Sequence, residues 1–358
     1  MDAPHPKQDV KCAFRAVVSL PGRMLRLCRS LRHKTLLDHR TSQQRASGCF
    51  LFSLAQPGLL LYSGAYGLLS FFTFAVPMPD LLTTTRKRLN LDSRPMQLWR
   101  KAKSLGTWDP AAIDFSQDAK DWAGCSDREQ DLLLRLTAQF EAGEESVTRD
   151  LLPLLLYMSR HGRIEDEMFL TAYLWEEAKH VEGFHRFLDE VIGTEDDLDS
   201  YLTPAYRTLF TERLPDAMDA LHTNGDPATL ARACATYQII VEGTLAETGY
   251  GAYRAVLKER NLCPGIRELV TYVQRDEARH VAYGIHLLTS LIEEHDSVVW
   301  PVIETALSDG LALVTEHIHE TLSPYTAPYP FDITLDLFVS MGMSQFEKRL
   351  SALESARP

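Results

Sequence analysis

The chain has 358 residues, which fits one large domain or two ordinary ones, and its 45 % apolar residues can form a sizeable core. Its net charge of −12 argues against a general nucleic-acid-binding protein, because no dense basic patch follows the first 45 residues. The six cysteines show no CxxC pair and no regular spacing, which argues against a zinc site or a disulfide framework and favours a reducing cytoplasm.

The N-terminal part differs in composition from the rest of the chain. Residues 1–45 carry ten Lys or Arg and three Asp, whereas the remainder carries 27 basic and 46 acidic residues. No charged residue occurs in 46–77, a run that is apolar and long enough to cross a bilayer, although proline and glycine interrupt any helix there. We expect residues 1–77 to be a disordered or non-native extension, with a membrane segment at 46–77 as the alternative. Residues 78–358 are expected to form the functional domain.

After residue 125 the apolar residues recur at helical spacing. The first helix is expected to begin with Ser126 as N-cap and Glu129 at the capping-box spacing, and the fourth with Asp226 as cap and Pro227 at its first position. The predicted helices are about 126–160, 164–191, 202–222, 227–260, 265–294, 298–322 and 333–354. With no alternating strand and no glycine-rich phosphate loop, the sequence predicts an all-α bundle of four long core helices with additional flanking helices.

Two of these helices carry the motif Glu-x-x-His. Glu177 and His180 form the first pair, in EEAKH, and Glu277 and His280 form the second, in DEARH. A glutamate and a histidine three residues apart project from the same side of a helix, one turn apart. Both side chains of a pair can therefore reach a single ion.

The chain contains two further Glu-x-x-His pairs, so this spacing alone does not identify a metal site. Glu182 and His185 are rotated by about 140° from the first motif on an ideal helix. Glu316 and His319 lie in the polar sequence TEHIHE. We expect both pairs to face solvent or another helix, whereas apolar residues flank the two pairs described first.

A dinuclear site in a ferritin-like four-helix bundle needs one more glutamate from each of the other two helices. Glu144 and Glu242 lie on those helices, and Glu242 stands in the apolar run YQIIVEGTLA, where an unpaired carboxylate would be costly to bury. Four carboxylates and two imidazoles suit iron or manganese better than zinc. The sequence therefore predicts a buried site for two metal ions. The alternative is a set of surface carboxylates and hydrogen-bonded core histidines.

This order of Glu, ExxH, Glu and ExxH resembles that of the ribonucleotide reductase small-subunit superfamily, over residues 90–350. The chain is most similar to the small-subunit-like ligand-binding oxidases, which carry a manganese and iron centre, a bound long-chain fatty acid and a valine–tyrosine ether cross-link. The resemblance implies that Val147 and Tyr237 form this cross-link. It implies the following metal ligands: Glu144, Glu177, His180, Glu242, Glu277 and His280.

The cross-link sets a condition on the local helix geometry. Tyr237 and Glu242 are about 140° apart on a regular α-helix, so a π-bulge or a similar distortion is needed for both to face inward. Without the resemblance, Val147 would be an ordinary core residue and Tyr237 a buried tyrosine with one hydrogen bond.

Two positions bear on the difference from a reductase subunit. Tyrosyl-radical small subunits have their radical tyrosine four residues after the first ExxH histidine, where this chain has Phe184, and they use a tyrosine in the C-terminal tail. No tyrosine follows Tyr329. A manganese and iron class of reductase also has phenylalanine at the first position. The alternative function is therefore the small (beta) subunit of a ribonucleoside-diphosphate reductase of that class.

The resemblance implies an oxygen-activating Mn/Fe oxidase, with di-iron as a possible variant, that works as a cytoplasmic homodimer without a reductase large subunit. Its reaction would be a two-electron oxidation of an unactivated C–H bond. The fatty acid implies a channel between the core helices. Gly243, Gly249 and Gly251 could leave room for it, with close helix packing as the alternative.

Overall fold

The computed structural model describes Thr84 and residues 88–358 apart from Glu195, and within this part the chain is helical with no strand. The α-helices are α1 (Arg94–Leu105), α2 (Ser116–Gly124), α3 (Asp127–Asp150), α4 (Leu152–Arg160), α5 (Ile164–Phe187), α6 (Pro204–Arg207), α7 (Leu214–Asp219), α8 (Pro227–Cys234), α9 (Glu247–Lys258), α10 (Pro264–Leu322) and α11 (Leu335–Glu354). The π-helical segments are Leu188–Ile192, Thr208–Arg213 and Ala235–Ala246, and the 3-10 turns are Pro110–Ala112, Leu198–Tyr201, Ala220–His222 and Pro330–Asp332. The predicted all-α fold is confirmed. The N-terminal extension 1–77, with its possible membrane segment 46–77, lies outside the described residues.

The first predicted helix differs from the observed one at its C-terminal end. Ser126 caps α3 as expected, since its backbone N–H and its hydroxyl both donate to Glu129 Oε2, at 2.9 and 2.7 Å. The helix stops at Asp150 instead of running on to residue 160, and α4 begins at Leu152. Pro153 explains this break, because it has no N–H to continue the α3 ladder and its ring clashes with the preceding turn. Helices α1 and α2 were not predicted.

The long helix α10 is bent back on itself at His295. This residue has φ −141° and ψ 30°, outside the helical region. A straight helix of 59 residues would be roughly 88 Å long. Yet Glu277 and His317, from its two halves, line the same cavity. The chain therefore forms two helices, α10a (264–294) and α10b (296–322), close to the predicted 265–294 and 298–322.

Length and composition alone would allow α10 to cross a membrane. Its first half, however, carries the buried charged residues Glu277 and His280, and the chain reverses at His295. The core helix of a water-soluble protein passes the same length and composition criteria. We therefore assign α10 to the core of the bundle.

Four helical segments surround the centre of the bundle: α3, α5, the continuous α8–π–α9 segment and α10a. Helix α3 packs on α5, and the π-helical segment Ala235–Ala246 packs on α10. Aromatic rings fill the space between them. Phe140 stacks on Phe184 at 5.0 Å and on Tyr250 at 4.9 Å between ring centroids. This packing brings one face of each of the four segments into a common interior.

The start of α10 is held by a carboxylate from a distant part of the chain. Asp118 on α2 is fully buried, and it accepts hydrogen bonds from the backbone N–H groups of Gly265 (2.8 Å) and Ile266 (2.7 Å). The first N–H groups of a helix have no partner within the helix. Asp118 therefore acts as an N-cap from 147 residues away, and it orients the segment that carries Glu277 and His280.

Replacing this cap should destabilise the whole bundle. We expect Asp118→Ala to lower the free energy of unfolding by about 2 kcal/mol, because it leaves two buried N–H groups without an acceptor. Urea unfolding followed by circular dichroism measures the change. The control is Asp189→Ala, at an exposed aspartate, which should cost less than about 0.5 kcal/mol. Equal losses in the two variants would contradict the role of Asp118.

Candidate metal centre

The structure brings the six predicted ligands together in the interior. Two groups of four have ligand atoms that all lie within 4.8 Å of one another. The first group is Glu144, Glu177, His180 and Glu277, and the second is Glu177, Glu242, Glu277 and His280. Each of the six residues is at most 4 % exposed. Glu177 and Glu277 belong to both groups, which is the arrangement expected of two ions that share two bridging carboxylates.

Both histidines present Nδ1 to the carboxylates. His180 Nδ1 lies 3.3 Å from Glu144 and 3.5 Å from Glu177, its motif partner. His280 Nδ1 lies 3.0 Å from Glu177 and 3.4 Å from Glu277, its own partner. The predicted geometry of the two ExxH motifs is therefore present, with Nδ1 as the atom available to an ion.

Several buried atoms of this cluster have no hydrogen-bond partner among the described residues. They are both oxygens of Glu177, both ring nitrogens of His180, Oε2 of Glu242, Oε2 of Glu277 and Nδ1 of His280. A buried carboxylate or imidazole without a partner is costly, and divalent cations would supply the missing interactions. Carboxylate and imidazole donors are those that manganese and iron accept. The residues present therefore fit two such ions.

Burial without cations strongly perturbs the carboxyl groups. Burial raises the pKa of Glu144 to about 8, although the facing His180 opposes the shift. Burial and the charge of Glu277 raise the pKa of Glu242 well above its ordinary value. Burial also acts to raise the pKa of Glu177, but the imidazoles of His180 and His280 outweigh it and lower this pKa to about 2. In the metal-free cluster, protons on Glu144 and Glu242 thus take over part of the charge compensation that cations would provide.

Two further carboxylates lie at the Nε2 atoms of the histidine rings. Glu176 Oε2 is hydrogen-bonded to His280 Nε2 at 2.9 Å, whereas Asp276 Oδ2 lies 3.6 Å from His180 Nε2, a charge contact that is too long for a hydrogen bond. Each acid directly precedes the glutamate of one motif and faces the histidine of the other. A carboxylate at Nε2 orients the ring and leaves Nδ1 free for a metal. The sequence analysis missed both acids, although the repeated acidic residue before each ExxH was a visible signal.

Cations from the same two motifs compensate these acids. Arg279 bonds both Glu176 Oε1 and Asp276 Oδ1 at 2.5 Å, and Lys179 Nζ lies 2.9 Å from Asp276 Oδ2. Trp108 Nε1 also donates to Asp276 Oδ2, at 2.7 Å. Burial alone would raise the pKa of Asp276, but His180, Lys179 and Arg279 together lower it far below its ordinary range. Asp276 is therefore a fixed negative charge beside His180.

Two tyrosines that the sequence analysis missed also contact the cluster. The hydroxyl of Tyr173 donates to Glu242, and its ring stacks on His280 with centroids 3.5 Å apart. The hydroxyl of Tyr250 lies 3.2 Å from Glu144 and 3.4 Å from Glu277. Tyr173 precedes Glu177 by four residues on α5, so its place on the same helix face was a visible signal. The contacts themselves join different helices, and no spacing predicts them.

Val147 and Tyr237 meet beside the cluster. The Tyr237 hydroxyl donates to the backbone carbonyl of Val147 at 2.8 Å, and both side chains are buried. The π-helix required for this orientation is present, since Tyr237 and Glu242 both lie in Ala235–Ala246. Hydrogen bonds from i to i+5 add a residue to each turn, which brings residues five apart towards the same side.

A narrow cavity of about 70 Å³ extends from the cluster towards α10b. Its walls include Glu144, Val147 and Glu242 at one end and His317 on α10b. Most of the remaining wall is apolar.

The three glycines predicted to leave room for a channel serve helix packing instead. A Cβ at Gly243 would lie 3.3 Å from Arg349 Cγ on α11, and one at Gly251 would clash with Met341 of the same helix. Gly249 does border the cavity, but a Cβ there would lie 2.5 Å from the ring of Phe140. The packing alternative therefore describes these positions better.

The other histidine pairs lie apart from the site. Glu182 and His185 are exposed, and so are Glu316 and His319, as expected from their sequence context. Phe184, which occupies the position of the radical tyrosine in tyrosyl-radical reductase subunits, is fully buried.

Metal-free protein should become less stable as the pH rises from about 5 to about 8. Over this range Glu144 keeps its proton in the folded state, with a pKa of about 8, but loses it in the unfolded chain, where the pKa is about 4.5. The folded state then binds more protons, so the free energy of unfolding falls by about 1.4 kcal/mol per pH unit for such a group. Urea unfolding in the presence of a chelator measures this slope.

Two controls test the origin of the slope. Glu144→Gln should reduce it, and saturating manganese and iron should largely abolish it, because cations displace the protons. A free energy of unfolding that stays constant or rises with pH in metal-free wild type would contradict the assignment.

Comparison with known proteins agrees with this geometry. The family model described as "Ribonucleotide reductase, small chain" matches residues 92–325. An R2-like ligand-binding oxidase with an aerobically reconstituted Mn/Fe cofactor is 34 % identical, with a TM-score of 0.72, and the match covers 75 % of this chain and 96 % of that one. A tyrosine-to-phenylalanine variant reconstituted aerobically and a valine-to-alanine variant reconstituted anaerobically, both with Mn/Fe, are also 34 % identical, with TM-scores of 0.71 and coverages of 75 % and 97 %. The chain therefore belongs to the ribonucleotide reductase small-chain family, within which it is similar to the R2-like ligand-binding oxidases.

Proposed function

We propose that this chain is an oxygen-activating oxidase that uses one manganese and one iron ion for the two-electron oxidation of a C–H bond. Its family supports a dinuclear metal oxidoreductase, and the similar solved structures carry a Mn/Fe cofactor. The observation that carries the proposal is the pair of buried ligand groups that share Glu177 and Glu277 and border a cavity.

The two ligand groups suggest how the ions are divided. Glu144 and His180 would hold one ion and Glu242 and His280 the other, while Glu177 and Glu277 would contact both. When bound, the two metals supply the activation of dioxygen and the oxidising power for the C–H bond. Glu176 keeps the His280 imidazole in orientation through its hydrogen bond at Nε2, and Asp276 places a negative charge beside His180 Nε2.

The first C–H bond to be oxidised is proposed to belong to the protein itself. Tyr237 places its hydroxyl 2.8 Å from the carbonyl oxygen of Val147, so the phenol lies next to that residue. An ether between Tyr237 Oη and Val147 Cβ forms when the Cβ–H and O–H bonds break. The two side chains lose two protons and two electrons, which dioxygen accepts, and the two divalent ions would supply the other two electrons for its reduction to water.

We propose that the cavity holds a long-chain fatty acid. Its mostly apolar wall suits an aliphatic chain, and the ligand cluster at one end suits a carboxylate head group next to two cations. We further propose residues 78–358 as the oxidase domain and a cytoplasmic homodimer as its working form. In this proposal residues 1–77 take no part in the chemistry.

Aerobic loading of metal-free protein with manganese and iron should produce the cross-link. We expect the peptides that contain Val147 and Tyr237 to appear joined, and lighter by two hydrogens than their sum, because an ether replaces a C–H and an O–H bond. Peptide mass spectrometry measures this. Tyr237→Phe should give separate peptides, whereas Tyr253→Phe, at a buried tyrosine that bonds Thr137, should still give the joined pair.

Separate peptides in aerobically loaded wild type would contradict the cross-link. The rival function, a reductase small subunit, predicts separate peptides together with ribonucleotide reduction once a large subunit is added. The oxidase predicts joined peptides and no such activity.

Metal content should distinguish shared from unshared ligands. We expect Glu242→Ala to keep about one tightly bound ion and Glu177→Ala to keep almost none, because Glu177 belongs to both ligand groups. Elemental analysis after anaerobic loading and gel filtration measures the content. Glu182→Ala, at an exposed glutamate, should match the wild type. Equal metal content in the Glu242 and Glu177 variants would contradict the shared role.

A further inference from the structure

The cavity has a polar region away from the metal ligands. His317 and Thr321 on α10b and Gln139 on α3 line it, and each is at most 7 % exposed. An unsubstituted aliphatic chain needs no hydrogen-bonding groups at this position. The three polar side chains therefore provide information on the chemistry of the ligand that the cavity binds.

Thr203 pairs with one of the two ring nitrogens of His317. Thr203 Oγ1 accepts a hydrogen bond from the backbone N–H of Tyr206 (3.2 Å), and it lies 2.9 Å from His317 Nδ1. The Thr203 hydroxyl can then donate its own hydrogen to Nδ1. Burial lowers the pKa of His317 to about 4, so the ring is neutral near pH 7. With Nδ1 as acceptor, the neutral ring carries its proton on Nε2, and we take this tautomer for the ligand-bound site.

The side-chain hydrogen bond of His317 within the described residues is the one at Nδ1, which leaves Nε2 without a bond there. Because the imidazole lines the cavity, Nε2 is available to a ligand. Covering this nitrogen with an aliphatic chain would leave it unpaired and would cost free energy.

Gln139 supplies an acceptor next to this donor. Its Nε2 donates to the backbone oxygen of Tyr201 (3.0 Å) and to Thr321 Oγ1 (3.2 Å), which fixes the orientation of the amide. Its Oε1 has no donor in the described part of the chain. Thr321 lies one helical turn after His317, so the Gln139 amide and the His317 ring are neighbours along the wall of the cavity.

The polar region lies part-way along the space for the ligand. Gln139 precedes Glu144 by five residues on α3, which corresponds to about 7.5 Å along the helix axis. Beyond Gln139 the cavity continues to Leu136, one further turn from the metal site. A ligand with its carboxylate at the metals would pass the donor and the acceptor within its chain.

We propose that the ligand is an aliphatic carboxylic acid with a hydroxyl group within its chain, which accepts a hydrogen bond from His317 Nε2 and donates one to Gln139 Oε1. The inference rests on the proposed function, since it specifies the chemistry of the proposed fatty-acid ligand. A site built to bond a hydroxyl rejects the analogue that lacks it, because its buried polar groups are then left unpaired.

Competition binding to the Mn/Fe-loaded protein tests the proposal. The probes are stearic acid, a positional series of monohydroxystearic acids and the matching oxostearic acids, each displacing a fluorescent fatty acid. We expect one hydroxyl position, or two neighbouring ones, to bind about tenfold more tightly than stearic acid. The oxo analogue should bind less tightly than the hydroxy acid, because it cannot donate to Gln139.

Variants test which residues cause the preference. His317→Leu and Gln139→Leu should each bring the ratio of hydroxystearate to stearate affinity close to one. The matched control is His319→Leu, two residues along the same helix at an exposed position, which should keep the wild-type ratio. Because the readout is a ratio of affinities, a general loss of packing would not produce the expected result.

The outcomes separate this inference from the proposed function. If wild type binds stearic acid and every hydroxystearic acid equally, the hydroxylated ligand is wrong, whereas the fatty-acid site stands. Equal binding of oxo and hydroxy acids would remove the role of Gln139 as acceptor and overturn the hydroxyl assignment. If no fatty acid binds at all, the proposed fatty-acid ligand fails together with this inference. Should His317→Leu not fold, the wild-type series and Gln139→Leu still decide.

Discussion

The compensation of buried charge at the centre of the bundle is the constraint on which the rest of the structure depends. Four glutamates and two histidines are taken out of water there, and several of their polar atoms have no partner in the described part of the protein. The folded protein can bury such a cluster only if bound protons or cations compensate its negative charge. The raised pKa values of Glu144 and Glu242 show that protons take this role in the metal-free state. Divalent ions compensate the charge without giving up the ligand geometry.

The surroundings of the cluster follow from the same constraint. Glu176 and Asp276 lie at the Nε2 atoms of the histidines and add negative charge, and Arg279 and Lys179 neutralise it at 2.5 to 2.9 Å. Each of the motifs EEAKH and DEARH therefore contains an acid that faces the other motif's histidine, a ligand pair and a cation. The two motifs exchange these roles across the helix interface, so neither forms a complete unit alone.

The fold places chemistry and ligand space on the same helices. Helix α3 carries Glu144 and Val147 at the metal end of the cavity and Gln139 further along it. The reversal at His295 brings the second half of α10 back to the same cavity, where it contributes His317. A local break in one helix thus decides which side chains line the cavity away from the Glu and His cluster. The π-helical segment likewise decides which side chains face the cluster, because it brings both Tyr237 and Glu242 towards the interior.

The sequence by itself determined whatever depends on local spacing. Helical periodicity predicted most helices, Ser126 and Asp226 marked two helix starts, and i to i+3 spacing predicted the two ExxH pairs. Only the tertiary structure decided the contacts between distant segments. These include the cap of α10 by Asp118, the tyrosines at the metal ligands and the donor and acceptor in the cavity. Such contacts depend on how helices are placed against one another, and the spacing within one helix carries no information about its neighbours.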